Sequence, residues 1–143
     1  MSALTLEAAH KIIEVGLAYS REAKFNPMGI VVLDARGALK AASLEDGTSL
    51  IRWRIAYAKA YGALGMGAGT RKLAALATER PAFIGGATHL AEMGLVPVPG
   101  GVLVKNQQGE IIGAVGVSGD TSDNDEVAGV KGIEAAGLVA DGG

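Results

Sequence analysis

Two histidines are the side chains of this sequence best suited to ligate a metal, and each also has a plainer interpretation. His10 lies at the edge of the apolar face of a predicted amphipathic helix, where a neutral imidazole could bind a metal ion or a haem iron. The alternative is a boundary histidine that only completes a packing contact. His89 lies in an irregular stretch flanked by glycines, which favours a surface role. Because the chain has no cysteine, two histidines cannot by themselves form a closed structural zinc site.

A second predicted helix carries an aromatic stripe. Trp53, Tyr57 and Tyr61 are four residues apart and therefore share one face. Small and apolar residues form another face of the same helix, so we expect it to be covered on both sides. The stripe predicts a subunit interface. Alternatively, it is a platform for a planar ligand, with Arg54 and Lys59 supplying positive charge for a carboxylate.

The glycine-rich segments do not match a nucleotide-binding motif. Residues 113–119 (GAVGVSG) are predicted to lead from a strand towards a helix N-terminus, where backbone N–H groups can hold an anion. The acidic residues at 120–125 would repel a phosphate, and no lysine follows as in a P-loop. The turn at 96–101 (VPVPGG) brings its backbone close to a neighbouring strand or to a ligand. We find no spacing typical of a nucleophile–base–acid triad.

Helices and hairpins alternate along the sequence and position these residues. The predicted helices cover residues 6–24, 50–64, 70–79 and 123–138. The predicted strands cover residues 28–33, 38–44, 101–105 and 110–118, with a further short strand at 95–98. We expect Thr5 to cap the first helix and Asp123 the last, and the tail at 140–143 to fray. Because hairpins build antiparallel sheets, the predicted fold class is α+β.

The composition restricts the class of protein. The chain has 143 residues, 13 basic and 15 acidic side chains, a net charge of −2 and 4% aromatic residues. This length predicts a single domain over residues 1–143. A balanced charge without a basic block argues against nucleic acid or a membrane surface as the main partner, and no apolar run approaches the ~18 residues of a membrane span. A charged, amphipathic start without a secretory segment predicts a cytoplasmic location.

Beyond these patterns, a series of short motifs resembles one known family. In chain order they are residues 31–34 (VVLD), 46–47 (DG), 55–56 (IA), 59–60 (KA), 80–83 (RPAF), 97–101 (PVPGG), 112–119 (IGAVGVSG), 125–126 (DE) and 132–133 (GI). Together they resemble the GlcG/HbpS-like family, which also includes the C-terminal domain of PduO-type proteins. The resemblance covers residues 4–138, and PGG, GAVGVSG and DE in this order are specific.

The resemblance implies a fold, an assembly and a cofactor. The fold is profilin-like, with helices flanking a five-stranded antiparallel sheet, and the assembly is a homo-oligomer, either a dimer or a larger ring such as an octamer. The cofactor is haem, held by a histidine of the first helix, which in this sequence is His10. Family signature positions would line a shared pocket: Lys59, Gly100, Gly101, Ser118 and Gly119. Arg54 stands where the family pattern varies and would tune the choice of ligand.

Two functions follow from the resemblance, one a binding protein and the other an enzyme. In the first, the chain binds haem or another tetrapyrrole with His10 as the metal ligand and has a sensing role. In the second, it acts on a small organic acid within a catabolic gene cluster. Lys59 would be the charge partner or acid–base catalyst, and the backbone N–H groups of Gly100, Gly101 and Gly119 would hold a carboxylate or enolate. The low aromatic content counts against a large planar cofactor.

Overall fold

Helices pack on a sheet throughout residues 3–143, the part of the chain that the computed structural model describes. The elements in chain order are α1 (Leu6–Glu22), β1 (Gly29–Asp34), β2 (Leu39–Leu44), α2 (Arg52–Met66), α3 (Thr70–Glu79), α4 (Pro81–Thr88), β3 (Gly101–Lys105), β4 (Ile111–Ser118), α5 (Ser122–Ala135) and β5 (Val139–Asp141). The predicted α+β class and the five-stranded antiparallel sheet are confirmed. No helix within the described range is long and apolar enough to cross a membrane.

The sheet joins two hairpins edge to edge. β1 pairs with β2 and β3 with β4, as the sequence predicts, and β1 also pairs with β4, so the strand order is β2-β1-β4-β3-β5. The first hairpin turns at Asp34, whose carboxylate accepts hydrogen bonds from the N–H groups of Arg36 and Ala38 at 2.9 and 3.0 Å. Gly37 has a φ of +84° in this turn, a left-handed conformation that suits glycine.

Both faces of the sheet are covered by helices. Ile30 and Val32 of β1 pack in one apolar cluster with α1 and α5, whereas Val31 and Leu33 pack in another with α2. β1 is therefore an unbroken apolar run rather than an alternating one, as is typical of strands buried on both faces. This arrangement places α1 and α5 on one side of the sheet and α2 on the other.

The backbone of α2 contacts the backbone of the sheet because two glycines lie beneath it. Gly101 on β3 and Gly116 on β4 are partners in the strand ladder. A Cβ atom on Gly116 would overlap the carbonyl oxygen of Ala56, and one on Gly101 would overlap that of Lys59. Only glycine at these two positions lets α2 approach this closely.

The C-terminal residues pair in the sheet, so the expectation that they fray is wrong. Val139–Asp141 forms β5 beside β3. Lys105 Nζ binds Asp141 Oδ2 at 2.7 Å, and the N–H of Arg71 donates to the Gly142 carbonyl at 3.1 Å. The strand predicted at 95–98 does not form. Proline, present twice in the turn at 96–101, lacks the N–H that a strand ladder needs.

The helix N-termini confirm one predicted cap and correct another. The Thr5 hydroxyl accepts a hydrogen bond from the N–H of Ala8 at 3.0 Å and caps α1, as predicted. Thr121, not Asp123, caps α5, since its hydroxyl accepts a hydrogen bond from the N–H of Asn124 at 3.2 Å. The cap lies one residue before the helix starts, which leaves the acidic residues of the first turn free for other contacts.

We expect Gly116→Ala to destabilise the fold by about 3 kcal/mol or more, because the added methyl group forces α2 off the sheet. Gly65→Ala is the matched control: Gly65 lies in α2 with nothing within 4 Å of an added Cβ, so this change should stabilise the helix by up to ~1 kcal/mol. Urea unfolding of both variants measures the difference. Equal stabilities would show that α2 does not rest on Gly116.

Candidate functional site

His10 is exposed on α1 and lines an open groove of about 860 Å³. The groove lies between the first turns of α1 and the C-terminal end of α5. Its lining mixes small, apolar and charged residues: Thr5, Leu6, Glu7, Ala8, His10, Lys11, Glu14, Ala135 and Ala136. Leu6, an apolar residue in the first turn of α1, is 50% exposed. An apolar surface therefore lies one turn before the imidazole, open to solvent.

Lys59 lies on α2, on the other side of the sheet, and is buried in an ion pair. Its Nζ donates hydrogen bonds to Asp125 Oδ2 at 3.0 Å and to the Val117 carbonyl at 2.8 Å. Both charged side chains are 2% exposed. Burial lowers the pKa of Lys59 and raises the pKa of Asp125, and the attraction between the two charges opposes both shifts. The pair ties α2 to α5 across the end of β4.

Asp125 also holds the loop that follows β4. Its Oδ1 accepts a hydrogen bond from the N–H of Asp120 at 2.9 Å. Asp120 in turn accepts hydrogen bonds from the Asn26 N–H at 2.8 Å and from Asn124 Nδ2 at 2.7 Å. These bonds lower the pKa of Asp120, chiefly through the backbone N–H of Asn26. The acidic residues of this segment therefore serve local hydrogen bonding, beyond the N-capping that the sequence suggests.

The predicted glycine and serine ligands surround the Lys59–Asp125 pair but face protein atoms. A Cβ on Gly100 would lie 2.7 Å from Lys59 Nζ, and one on Gly119 would overlap the Pro27 carbonyl oxygen. The N–H of Gly101 donates to Thr70 Oγ1 at 2.7 Å. The buried Ser118 hydroxyl accepts a hydrogen bond from Arg52 Nη1 at 3.1 Å. In this structure the three glycines let neighbouring backbone segments pack closely around the ion pair.

Arg54 lies in a third place, on the outer side of α2. Its guanidinium carbon is 5.1 Å from the centroid of the Trp53 ring, a cation–π contact. Both residues line a cavity of about 190 Å³ together with Tyr57, Glu92 and Met93. Arg54 and an aromatic ring thus lie together, as expected if this face of α2 is a platform for a planar ligand. Lys59, which lies on the same helix, is buried elsewhere.

The structure therefore distributes the predicted ligands over three locations. Lys59 lies together with Gly100, Gly101, Ser118 and Gly119, while His10 and Arg54 are each apart from that cluster and from one another. His89 is exposed at the end of α4, in agreement with its predicted surface role. Within residues 3–143 no three His, Asp or Glu side chains group in a way that could hold a metal ion.

Asp125 is the site residue that sequence reasoning did not identify. The sequence does contain a signal for it: Asp125, Ala128 and Gly132 recur at helical spacing, and such a stripe of small residues marks a buried face. An acid on a buried face needs a positive partner. The identity of that partner, Lys59, depends on a contact between residues 66 positions apart.

Comparison with known proteins identifies relatives by sequence pattern and by fold. The family model described as haem-degrading protein HbpS-like matches residues 4–134. The crystal structure of a PduOC–haem complex superimposes with a TM-score of 0.85 at 22% identity, covering 96% of this chain and 97% of that one. No curated protein matches the chain in sequence.

Two further crystal structures have the same fold. A double mutant of HbpS from Streptomyces reticuli has a TM-score of 0.80 at 24% identity and covers 94% of this chain and 87% of that one. The ORFY protein of Klebsiella pneumoniae has a TM-score of 0.85 at 22% identity and covers 96% and 92%. At these identities the likeness establishes the shared fold.

We expect Lys59→Met to destabilise the protein by about 3–5 kcal/mol, because it leaves the Asp125 carboxylate buried without a partner. Replacing both residues, as Lys59→Met with Asp125→Leu, should recover part of that loss. Lys105→Met is the control, since the Lys105–Asp141 pair is 27% and 38% exposed and such pairs contribute about 0–1 kcal/mol. Urea unfolding compares the variants. If Lys59→Met lost no more unfolding free energy than Lys105→Met, the result would contradict a buried Lys59–Asp125 pair.

Proposed function

The chain belongs to the HbpS-like family, and on that premise we propose that it binds haem through the imidazole of His10. The observation that carries the proposal is the exposed His10 side chain in the α1 groove. Histidine is a common axial ligand of haem iron. The description of the family as haem-degrading and the haem complex of the PduOC relative support this choice of ligand.

The groove agrees with haem in size and in donor chemistry. Its volume of about 860 Å³ lies within the ~300–1,000 Å³ typical of cofactor sites. His10 would hold the iron, and Leu6 and Ala136 would contact the macrocycle. Bound haem supplies redox and oxygen chemistry at its iron. The chain's own contribution is to hold the imidazole on a rigid helix, which the Thr5 cap and the contact with α5 fix in place.

The organic-acid alternative gains no support from the geometry. The Nζ of Lys59 already binds Asp125 and the Val117 carbonyl, and the side chain is 2% exposed. The N–H of Gly101 is bound to Thr70. The catalytic role of Lys59, the sensing role and the cytoplasmic location stay predictions.

We further propose that the chain self-assembles through the start of α2, as a dimer or as a larger ring such as an octamer. Four apolar side chains are exposed there: Leu44 by 49%, Leu50 by 88%, Ile51 by 56% and Trp53 by 37%. Leu44 Cδ2 and the backbone nitrogen of Trp53 both lie within 4 Å of the Cβ position of Gly29, so the two residues are neighbours. Clustered exposed apolar residues are typical of protein–protein contacts.

Haem titration of the wild type should give a saturable Soret shift, and His10→Ala should weaken the affinity by at least about tenfold, equivalent to ~1.4 kcal/mol. The physical reason is the loss of the axial nitrogen. His89→Ala is the matched control, because it removes the other histidine, which is also exposed, and should leave the titration unchanged. Absorbance changes that do not depend on His10 would indicate nonspecific adsorption and contradict the proposal.

Leu50→Glu should reduce the mass of the assembly in sedimentation experiments, because a charge at this 88% exposed position opposes burial against another copy. Ile111→Glu is a control at the far end of β4, where the side chain is 40% exposed, and it should leave the mass unchanged. A wild type that sediments as a monomer at micromolar concentration would overturn this proposal.

A further inference from the structure

A cleft runs along the outer side of α2, between its aromatic stripe and the segment at 87–95. It contains one cavity of about 190 Å³ and another of about 260 Å³. Tyr57 lines the smaller cavity and Tyr61 the larger, and their ring centroids are 6.5 Å apart. On the facing wall, Glu92 lines the smaller cavity and the preceding residue, Ala91, lines the larger. The two cavities are therefore neighbours along one cleft.

The smaller cavity presents one positive and one negative side chain that do not pair with each other. Arg54 and Glu92 both line it, and both are exposed. No ion pair within residues 3–143 involves either of them. The cation–π contact of Arg54 with the Trp53 ring uses none of the five N–H donors of the guanidinium. A ligand in this cavity therefore meets a hydrogen-bond donor of positive charge and an acceptor of negative charge.

The larger cavity is uncharged and almost entirely apolar. It is lined by Tyr61, Gly62, Gly65, Met66, Ala87, Leu90, Ala91 and Leu95. A Cβ atom on Gly65 would meet nothing within 4 Å, so the helix leaves open space there. Leu90 is 88% exposed, and an apolar group placed against it would remove apolar surface from water. The cavity thus offers room for an apolar side chain beside the two charges.

We propose that this cleft binds a small zwitterion of the amino-acid type with an apolar side chain. The carboxylate of the ligand accepts hydrogen bonds from Arg54, whose planar guanidinium matches a carboxylate in geometry. The ammonium group of the ligand donates to Glu92, and its side chain extends past Tyr57 into the larger cavity. A ligand with a single charge would use only one of the two charged residues. The proposal goes beyond haem binding at His10 and does not involve Lys59.

Trp53 is the only tryptophan of the chain and lines the smaller cavity, so its fluorescence reports on this site directly. We expect L-phenylalanine and L-leucine to change the Trp53 emission in a saturable way at low ionic strength. Hydrocinnamate and phenethylamine are analogues of phenylalanine that lack the ammonium and the carboxylate, respectively. Each should bind about tenfold more weakly than L-phenylalanine, because it loses one charge-assisted hydrogen-bonding group.

Two variants should separate the two charges. Arg54→Gln should weaken the binding of L-phenylalanine and of hydrocinnamate by about tenfold, without weakening that of phenethylamine. Glu92→Gln should weaken the binding of L-phenylalanine and of phenethylamine, without weakening that of hydrocinnamate. Arg80→Gln is the matched control, since Arg80 also contacts an aromatic ring, that of Phe83 at 4.7 Å, but lines neither cavity. It should leave all three affinities unchanged.

Three results would overturn the proposal. If hydrocinnamate or phenethylamine binds as tightly as L-phenylalanine, the cleft does not recognise a zwitterion. If neither amino acid changes the Trp53 emission saturably at millimolar concentration, the cleft is not an amino-acid site. If all ligands respond alike in the wild type and in both variants, the signal comes from apolar adsorption. None of these results bears on the haem titration, which has its own absorbance readout.

Discussion

The contact between the backbone of α2 and the middle of the sheet is the constraint on which much of this structure depends. It exists because Gly101 and Gly116 face each other under the helix and present no side chain. A helix held at this distance cannot accommodate large residues, and its inner face is accordingly built from Ala56, Ala60 and Ala63.

The same close approach places a lysine in the interior. Lys59 lies directly over Gly101, so its side chain runs along the protein interior to the end of β4, where Asp125 neutralises it. Buried ion pairs are weak sources of net stability but costly to break singly. The pair therefore acts as a specific connection between α2, β4 and α5, and its surrounding glycines provide the space that it needs.

The open groove and the buried ion pair lie in different parts of the structure. The α2 side of the sheet contains Lys59 and the exposed apolar start of α2, whereas the α1 side contains Asp125 on α5 and the open groove with His10. The groove contacts the C-terminal end of α5, whereas Asp125 lies in the first turn of that helix. Glycine–carbonyl contacts at Gly132 and Gly16 hold α1 against α5 and keep the imidazole on a rigid support.

The sequence by itself determined the two hairpins, four of the five helices, the α+β class and the family, because apolar periodicity, turn residues and ordered motifs are local signals. It also placed His10 on the first helix. Only the tertiary structure decided that residues 139–141 complete the sheet, since three residues carry no strand signal until β3 lies beside them. Only the tertiary structure separated His10 from Lys59 and paired Lys59 with Asp125, because faces of a sheet and contacts across 66 residues arise from packing.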